Sequence, residues 1–365
     1  MEARYYFIFV AAILGLQFFL YIFNHTIHWI FHDKGKLHQN SLITLLIFSF
    51  PNIILIGHIL KFFTAYRLIA LILALLVFSA FISLTIAVIH LIFRHTKFTT
   101  KIDHTLRLLY PISLITIICL SVYNAYVPKI IHYSIQLDKP LSSPIRIGIA
   151  SDLHLGILFG NQQLDKLTQI MQDEKVDIIL LPGDIMDDNI DAYLAENMQS
   201  HLTKLTAPLG VYATLGNHDF FGYQAEISTE IRQAGLTLLK DQSITINNKL
   251  VLIGRNDDLY IARPDTKELL KSVDTSLPII VLDHRPTDIE THSALPIDIQ
   301  VSGHTHRGQI FPANLLTALL YRLDYGYEKI GNGHFFVTSG YGFWGIPMRL
   351  GSQSEVIIVD VEGKK

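Results

Sequence analysis

Four long apolar runs dominate the first third of the chain: Tyr5–Phe23, Leu42–Leu60, Leu68–Phe93 and Leu106–Val127. Each approaches or exceeds the roughly 20 residues a helix needs to cross about 30 Å of hydrocarbon. The chain is half hydrophobic and only 17% charged, against the roughly 25% charged residues of a water-soluble domain. Residues 1–130 are therefore expected to form a transmembrane region of four helices, with a lipid bilayer as partner. The first run is too long for a signal-peptide core and no small-residue cleavage site follows it, so it reads as an anchor. Pro51 and Asn52 interrupt the second run and predict a kink or a packed polar spot.

Four crossings would put both termini on one side. Arg4, Lys61, Arg67 and Lys129 would flank that side, with Lys34, Lys36, Arg94, Lys97, Lys101 and Arg107 on the other. The last four crowd one short loop, which leans toward a cytoplasmic loop and an extracytoplasmic soluble domain in a multi-pass membrane protein. His25, His28 and His32 recur at helical spacing, with His58 and His90 inside runs; polar residues near helix ends commonly sit at the interface. The formal charge of −3 and the lack of a basic run point away from nucleic acid. The single cysteine, Cys119, excludes an intrachain disulfide.

From residue 145 to 361 the pattern changes. "PIRIGIASDLHLG", "VDIILLPGDIMDD", "GVYATLGNHDF", "PIIVLDHRP" and "DIQVSGHTHRG" each run from apolar residues into Gly, Asp, Asn or His. Helical stretches at Asn161–Glu174 and Ala192–Leu205 alternate with the early strands, and the C-terminal part reads as purely β. This predicts an α/β domain with its functional groups at strand ends.

Those ends carry Asp152 and His154, Asp184, Asn217 and His218, His284, and His304 and His306. One histidine is usually an ordinary half-buried residue. Five successive strand ends that each carry a metal-competent side chain are not. In an extended segment residues i and i+2 share a face, about 6.5–7 Å apart, so the Asp152/His154 and His304/His306 pairs can serve one cleft. Mixed carboxylate, imidazole and amide donors suit Mn, Fe or Zn better than Ca or Mg. The donors exceed one tetrahedral site and suit two divalent metal ions about 3.5–4 Å apart, with Asp184 the natural bridge.

The ordered set D-x-H, G-D-x-x-D, G-N-H-D, a lone His before Arg-Pro, and G-H-T-H resembles the calcineurin-like metallophosphoesterases over about residues 145–361. The resemblance implies a four-layer α/β-β/α sandwich. One metal would be held by Asp152, His154 and His306, and the other by Asn217, His284 and His304, with Asp184 bridging. A hydroxide between the metals would attack phosphorus, His218 would act as general acid, and Asp187 would orient it. Family protein phosphatases carry Arg where this chain has Asp188, which argues against a protein phosphatase. Arg307 and Arg285, beside ligands, are candidate substrate-binding residues.

Helices joined to such a domain look like the membrane-anchored branch of the family. Its catalytic domains are similar to those of bacterial phosphoesterases of lipid- or nucleotide-linked phosphates, such as UDP-2,3-diacylglucosamine pyrophosphatases. The expected activity is hydrolysis of a phosphodiester or pyrophosphate bond. The alternatives are a phosphomonoesterase with the same centre and a non-catalytic phosphate-binding or sensor module. Phe343, Trp344 and Ile346 could line a lipid-facing lip or pack against the last strands. Leu315, Leu316, Leu319 and Leu320 would share one helical face, turned either to the bilayer or to the core.

Overall fold

The computed structural model describes residues 2–31, 37–187 and 189–364, and within helices it leaves out the side chains of residues 2–9, 11, 12 and 37–40. His32, Lys34, Lys36 and Asp188 lie outside the described residues, as does the Arg4 side chain. The chain divides into two compact units, Met1–Ser121 and Val122–Lys365.

The first unit contains α1 (Glu2–Ile30), α2 (Leu37–Ile59), α3 (Tyr66–Phe93) and most of α4 (Thr99–Tyr126). Among the described residues, three helices are long and apolar enough to cross a membrane: Ser41–Ile59, Tyr66–Phe93 and Thr99–Tyr126. This corrects the expectation of four spans. The first run does form α1, but many of its apolar side chains lie outside the described residues. The parity of crossings therefore no longer relates the two termini. Leu16 and Leu20 of α1 pack with Leu76 of α3. The polar spot expected at Asn52 is present: Gln17 Nε2 donates to its Oδ1 at 2.9 Å, and its Nδ2 donates to the Phe48 carbonyl at 2.8 Å. Two of the histidines in this unit have ordinary partners, His28 with Thr44 at 2.8 Å and His90 with Asp103 at 2.8 Å.

The second unit runs β1 (Lys129–Gln136), β2 (Ile145–Ile149), α5 (Asn161–Asp173), β3 (Ile178–Pro182), α6 (Asp191–Ala195), α7 (Gln199–Leu202), β4 (Val211–Thr214), α8 (Gln224–Gln233), β5 (Thr237–Leu238), β6 (Gln242–Ile246) and β7 (Leu250–Gly254). It continues through α9 (Thr266–Leu270), β8 (Ile279–Leu282), α10 (Ile289–Ser293), β9 (Ile299–Ser302), α11 (Ala313–Leu320), β10 (Gly326–Ile330), β11 (Gly333–Val337) and β12 (Glu355–Glu362). Two six-stranded sheets result, in the orders β1-β12-β2-β3-β4-β5 and β10-β11-β9-β8-β7-β6. The edge strand β1 begins before residue 145 and pairs in parallel with β12 along its whole length, from Lys129–Glu355 to Gln136–Glu362.

The strand sequences explain the layering. The run Ile178–Pro182 is buried at every position, as expected for a central parallel strand covered on both faces. Ile147, Ile149, Leu180, Leu252, Leu282 and Val301 meet between the sheets. On the outer face of the first sheet, Ile179, Leu181 and Ala213 meet Leu164 and Leu167 of α5 and Ile227 and Ile231 of α8. Helix α5 can do this because its apolar residues recur at 3.6-residue spacing. At its start the Gly160 N–H donates to Gln163 Oε1 at 3.0 Å, the side-chain half of a capping box. The expected helix at Ala192–Leu205 is instead the pair α6 and α7, separated at Asn197, whose φ is +50.

Candidate metal centre

The C-terminal ends of β2, β3, β4, β8 and β9 bring the predicted donors to one place. Asp152, His154 and His306 present ligand atoms within 4.8 Å of one another, and so do Asp184, His284 and His304. A third group, His154, Asp187 and His218, meets the same criterion. His154 Nε2 and His306 Nε2 are 3.1 Å apart. Asp184 Oδ2 stands 3.6 Å from His154 Nε2 and 3.2 Å from His284 Nε2, so this carboxylate lies between two donor groups. Asn217 Oδ1 is 3.2 Å from His284 Nε2.

The i, i+2 pairs converge for a reason other than the one the sequence suggests. Strands β2 and β9 end at Ile149 and Ser302, before the donors begin. Asp152, His154, Asp184, His304 and His306 all have left-handed backbones, with φ of 55, 44, 51, 69 and 48°. Non-glycine residues there cost on the order of 1–3 kcal/mol each and persist where the surroundings force them. Tight turns, not strand alternation, aim these side chains. The turns are held from behind: the His304 N–H donates to Asp152 Oδ1 at 3.0 Å, and the His218 N–H donates to Asp184 Oδ1 at 2.9 Å.

Glycines make room for this. A Cβ on Gly303 would lie 2.1 Å from Asp152 Oδ2, and one on Gly216 would lie 2.2 Å from Asp184 Oδ1. Gly303→Ala is expected to lower bound metal per chain in elemental analysis while leaving the circular dichroism spectrum as it is. Unchanged metal content would show that Asp152 has freedom to move aside.

Burial shapes the electrostatics. It pushes the Asp152 carboxyl up to about 6, with Asp184 adding to the effect. Burial alone would depress His284, but the Asp184 and Asp152 carboxylates override it and raise the ring to about 10. Burial, then His284 and Arg285, lower His304 to about 2. The buried carboxylates hold a proton on the His284 ring, and a bound cation would supply that balancing positive charge in its place. Carboxylate, imidazole and amide oxygen are also the donor chemistry of a divalent transition metal, so the residues present fit a two-metal centre.

Arg285 is committed to Asp257, with its Nε and Nη2 at 2.7 and 3.0 Å from the two carboxylate oxygens. Arg307 lays its guanidinium 4.4 Å over the Tyr325 ring. Two residues outside the predicted donor set support the site. Asp219, the last letter of "GNHD", is wholly buried and accepts the Gly216, Met186 and Ile185 N–H groups at 2.8, 3.1 and 3.3 Å. Arg349 is also wholly buried, with Nη2 3.0 Å from His306 Nδ1 and donating to the Gly340 and Gly342 carbonyls.

The profile for calcineurin-like phosphoesterase matches residues 145–308. An uncharacterized metallophosphoesterase of Aquifex aeolicus is 34% identical over 251 residues, which cover 66% of this chain and 94% of the relative. A transmembrane protein with metallophosphoesterase domain from Danio rerio is 27% identical over 267 residues, 67% of this chain and 61% of that one. The chain thus spans less than two thirds of the fish protein. Among solved structures, Haemophilus influenzae NAD nucleotidase aligns with a TM-score of 0.37 and 17% identity over 55% of this chain and 45% of that one. A two-sheet sandwich with metal-competent donors at its strand ends, together with the two metallophosphoesterase sequence relatives, defines a metal-dependent phosphoester hydrolase. The chain belongs to the calcineurin-like metallophosphoesterase family.

Proposed function

We propose that the protein is a membrane-anchored, dinuclear-metal phosphoesterase that hydrolyses a phosphodiester or pyrophosphate bond. The observation that carries this reading is Asp184, buried between two donor groups, with His218 tied to it through the backbone. In this reading Asp152, His154 and His306 would hold one metal and Asn217, His284 and His304 the other, with Asp184 shared between them. When bound, the cations supply Lewis acidity, acidifying water and neutralising phosphate charge. His218 delivers a proton to the leaving oxygen, and Asp187 fixes its ring.

The preference for a diester over a monoester rests on what flanks the centre. The His218 ring lies 5.3 Å from Phe221 and 6.1 Å from Trp344, while His304 lies 6.1 Å from Tyr321. Aromatic groups on two sides suit a phosphorus with an organic substituent at each end. Arg94 and Lys97 lie in the loop before α4 and Lys101 in its first turn, and the catalytic unit follows α4. On this reading the basic loop is cytoplasmic and the catalytic unit lies on the opposite side.

The test compares a chromogenic phosphodiester with its monoester, using detergent-purified protein with and without Mn²⁺. Mn-dependent diester cleavage is expected, and His218→Ala should lower kcat by roughly 10²–10⁴-fold, the usual worth of a general acid, with bound metal unchanged. Metal-replete protein that cleaves neither ester would overturn the reading, and a preference for the monoester would transfer it to the phosphomonoesterase alternative.

A further inference from the structure

Helix α11 buries none of its residues, and Leu315, Leu316, Leu319 and Leu320 are 60, 60, 81 and 67% exposed. The helix carries no charged side chain. Monomeric soluble surfaces rarely leave such a contiguous apolar patch uncovered. The helix is tied to the metal centre through its C-terminal half. Thr317 Oγ1 donates to Asp324 Oδ2 at 2.6 Å, and Thr305 Oγ1, between the ligands His304 and His306, donates to the Asp324 carbonyl at 2.7 Å. Tyr321, directly after the helix, stands edge-on to His304.

A second strip of apolar surface joins it. Trp344 is about half exposed and lies beside His218. Gln309 Nε2 donates to the Trp344 carbonyl and its Oε1 accepts the Trp344 N–H, at 2.9 Å each, which links this loop to the segment leading into α11. The neighbouring Phe343 is buried and packs against Tyr126 at 5.4 Å between ring centroids. Tyr126 also stacks on Phe159 at 6.3 Å. It is the last residue of α4, a helix long and apolar enough to span a bilayer, and Val122–Tyr126 belong to the catalytic unit itself. Ile157, 78% exposed, lies in the same loop as Leu158, whose carbonyl accepts the Tyr126 hydroxyl at 3.0 Å. The point where a candidate span enters this unit, the exposed indole and the leucine helix are therefore linked through direct contacts around the metal donors.

We propose that α11 and Trp344 rest in the interfacial layer of the lipid bilayer, so that the metal centre opens at headgroup level and takes amphiphilic phosphate esters drawn from the membrane. This rests on the phosphoesterase reading above and adds the surface that presents the substrate. An apolar helix face with a tryptophan beside it is the composition of interfacial membrane elements, and continuity with a candidate span selects a bilayer over a soluble partner.

The test uses the full chain reconstituted in phosphatidylcholine vesicles. The chain has two tryptophans, Trp29 and Trp344, so Trp29→Phe leaves Trp344 as the only reporter. Lipids brominated on the acyl chain near the headgroup should quench it, and Leu316→Asp with Leu319→Asp should remove the quenching. The same double variant should hydrolyse a water-soluble diester at the original rate but lose about ten-fold per leucine on a lipid-anchored diester in the vesicles. Absence of quenching in the parent protein would overturn the proposal, as would equal losses on both substrates. Quenching does not depend on turnover, so a docked but inactive protein would sink the phosphoesterase reading alone.

Discussion

Asp184→Asn is expected to strip metal from both donor groups at once. The carboxylate reaches towards His154 on one side and His284 on the other, and its second oxygen accepts the His218 N–H. The amide keeps the volume but loses the charge that balances the cations. Even changes behind a metal ligand cost about 10–100-fold in metal affinity, so loss of the shared carboxylate should exceed that. Elemental analysis after dialysis should fall from roughly two metals per chain to below one, and diester hydrolysis should drop to background. The contrast is a fourth cluster, Asp283, Asp288 and His292, which meets the same distance criterion. There Arg255 Nη1 lies 3.1, 2.6 and 3.3 Å from the three side chains, so a cation already fills the position. His292→Gln should leave the metal count unchanged. Retention of two metals by Asp184→Asn would remove the basis for a shared carboxylate.

The largest effect on stability is expected at Arg349. Its guanidinium is wholly buried, held down to about 10 by that burial and supported by the charges of Asp152 and Glu355. Arg349→Ala would leave the Gly340 and Gly342 carbonyls without this donor and leave those carboxylates less compensated. Removing one partner from a buried charge network costs about 3–5 kcal/mol. For a unit of this size each kcal/mol lowers Tm by about 2–4 °C, measurable on the metal-free full chain in detergent. Arg349→Lys keeps the charge but not the planar fork, and should recover only part of the loss. A Tm within about a degree of the parent, less than 1 kcal/mol on that scale, would show that the pocket accommodates the change.

How much of this was legible beforehand differs from element to element. The apolar runs announced the membrane-compatible helices because such a helix is a matter of length and composition. The fourth span is the exception, since much of α1 lies outside the described side chains. The strand ends announced the donors because an apolar run ending in Asp, Asn or His has few structural uses. Asp219 stood in view as the last residue of "GNHD" but not its buried role behind the turn, and Arg349 was not distinguishable from a surface residue, because burial of a charge depends on what packs around it. The aromatic loop divided in a way that composition does not encode: Phe343 and Ile346 are buried, while Trp344 next to Phe343 is exposed.

The sequence alone determined the inventory: the membrane-compatible helices, the α/β alternation, and the donor side chains in their order. These follow from local patterns that survive any detail of packing. The tertiary structure decided the rest. It placed Asp184 between two donor groups, replaced strand alternation with left-handed turns as the cause of convergence, engaged Arg285 with Asp257, and left the leucines of α11 uncovered. Each of these depends on contacts between residues far apart in the chain, and only the packing of the two sheets brings such residues together.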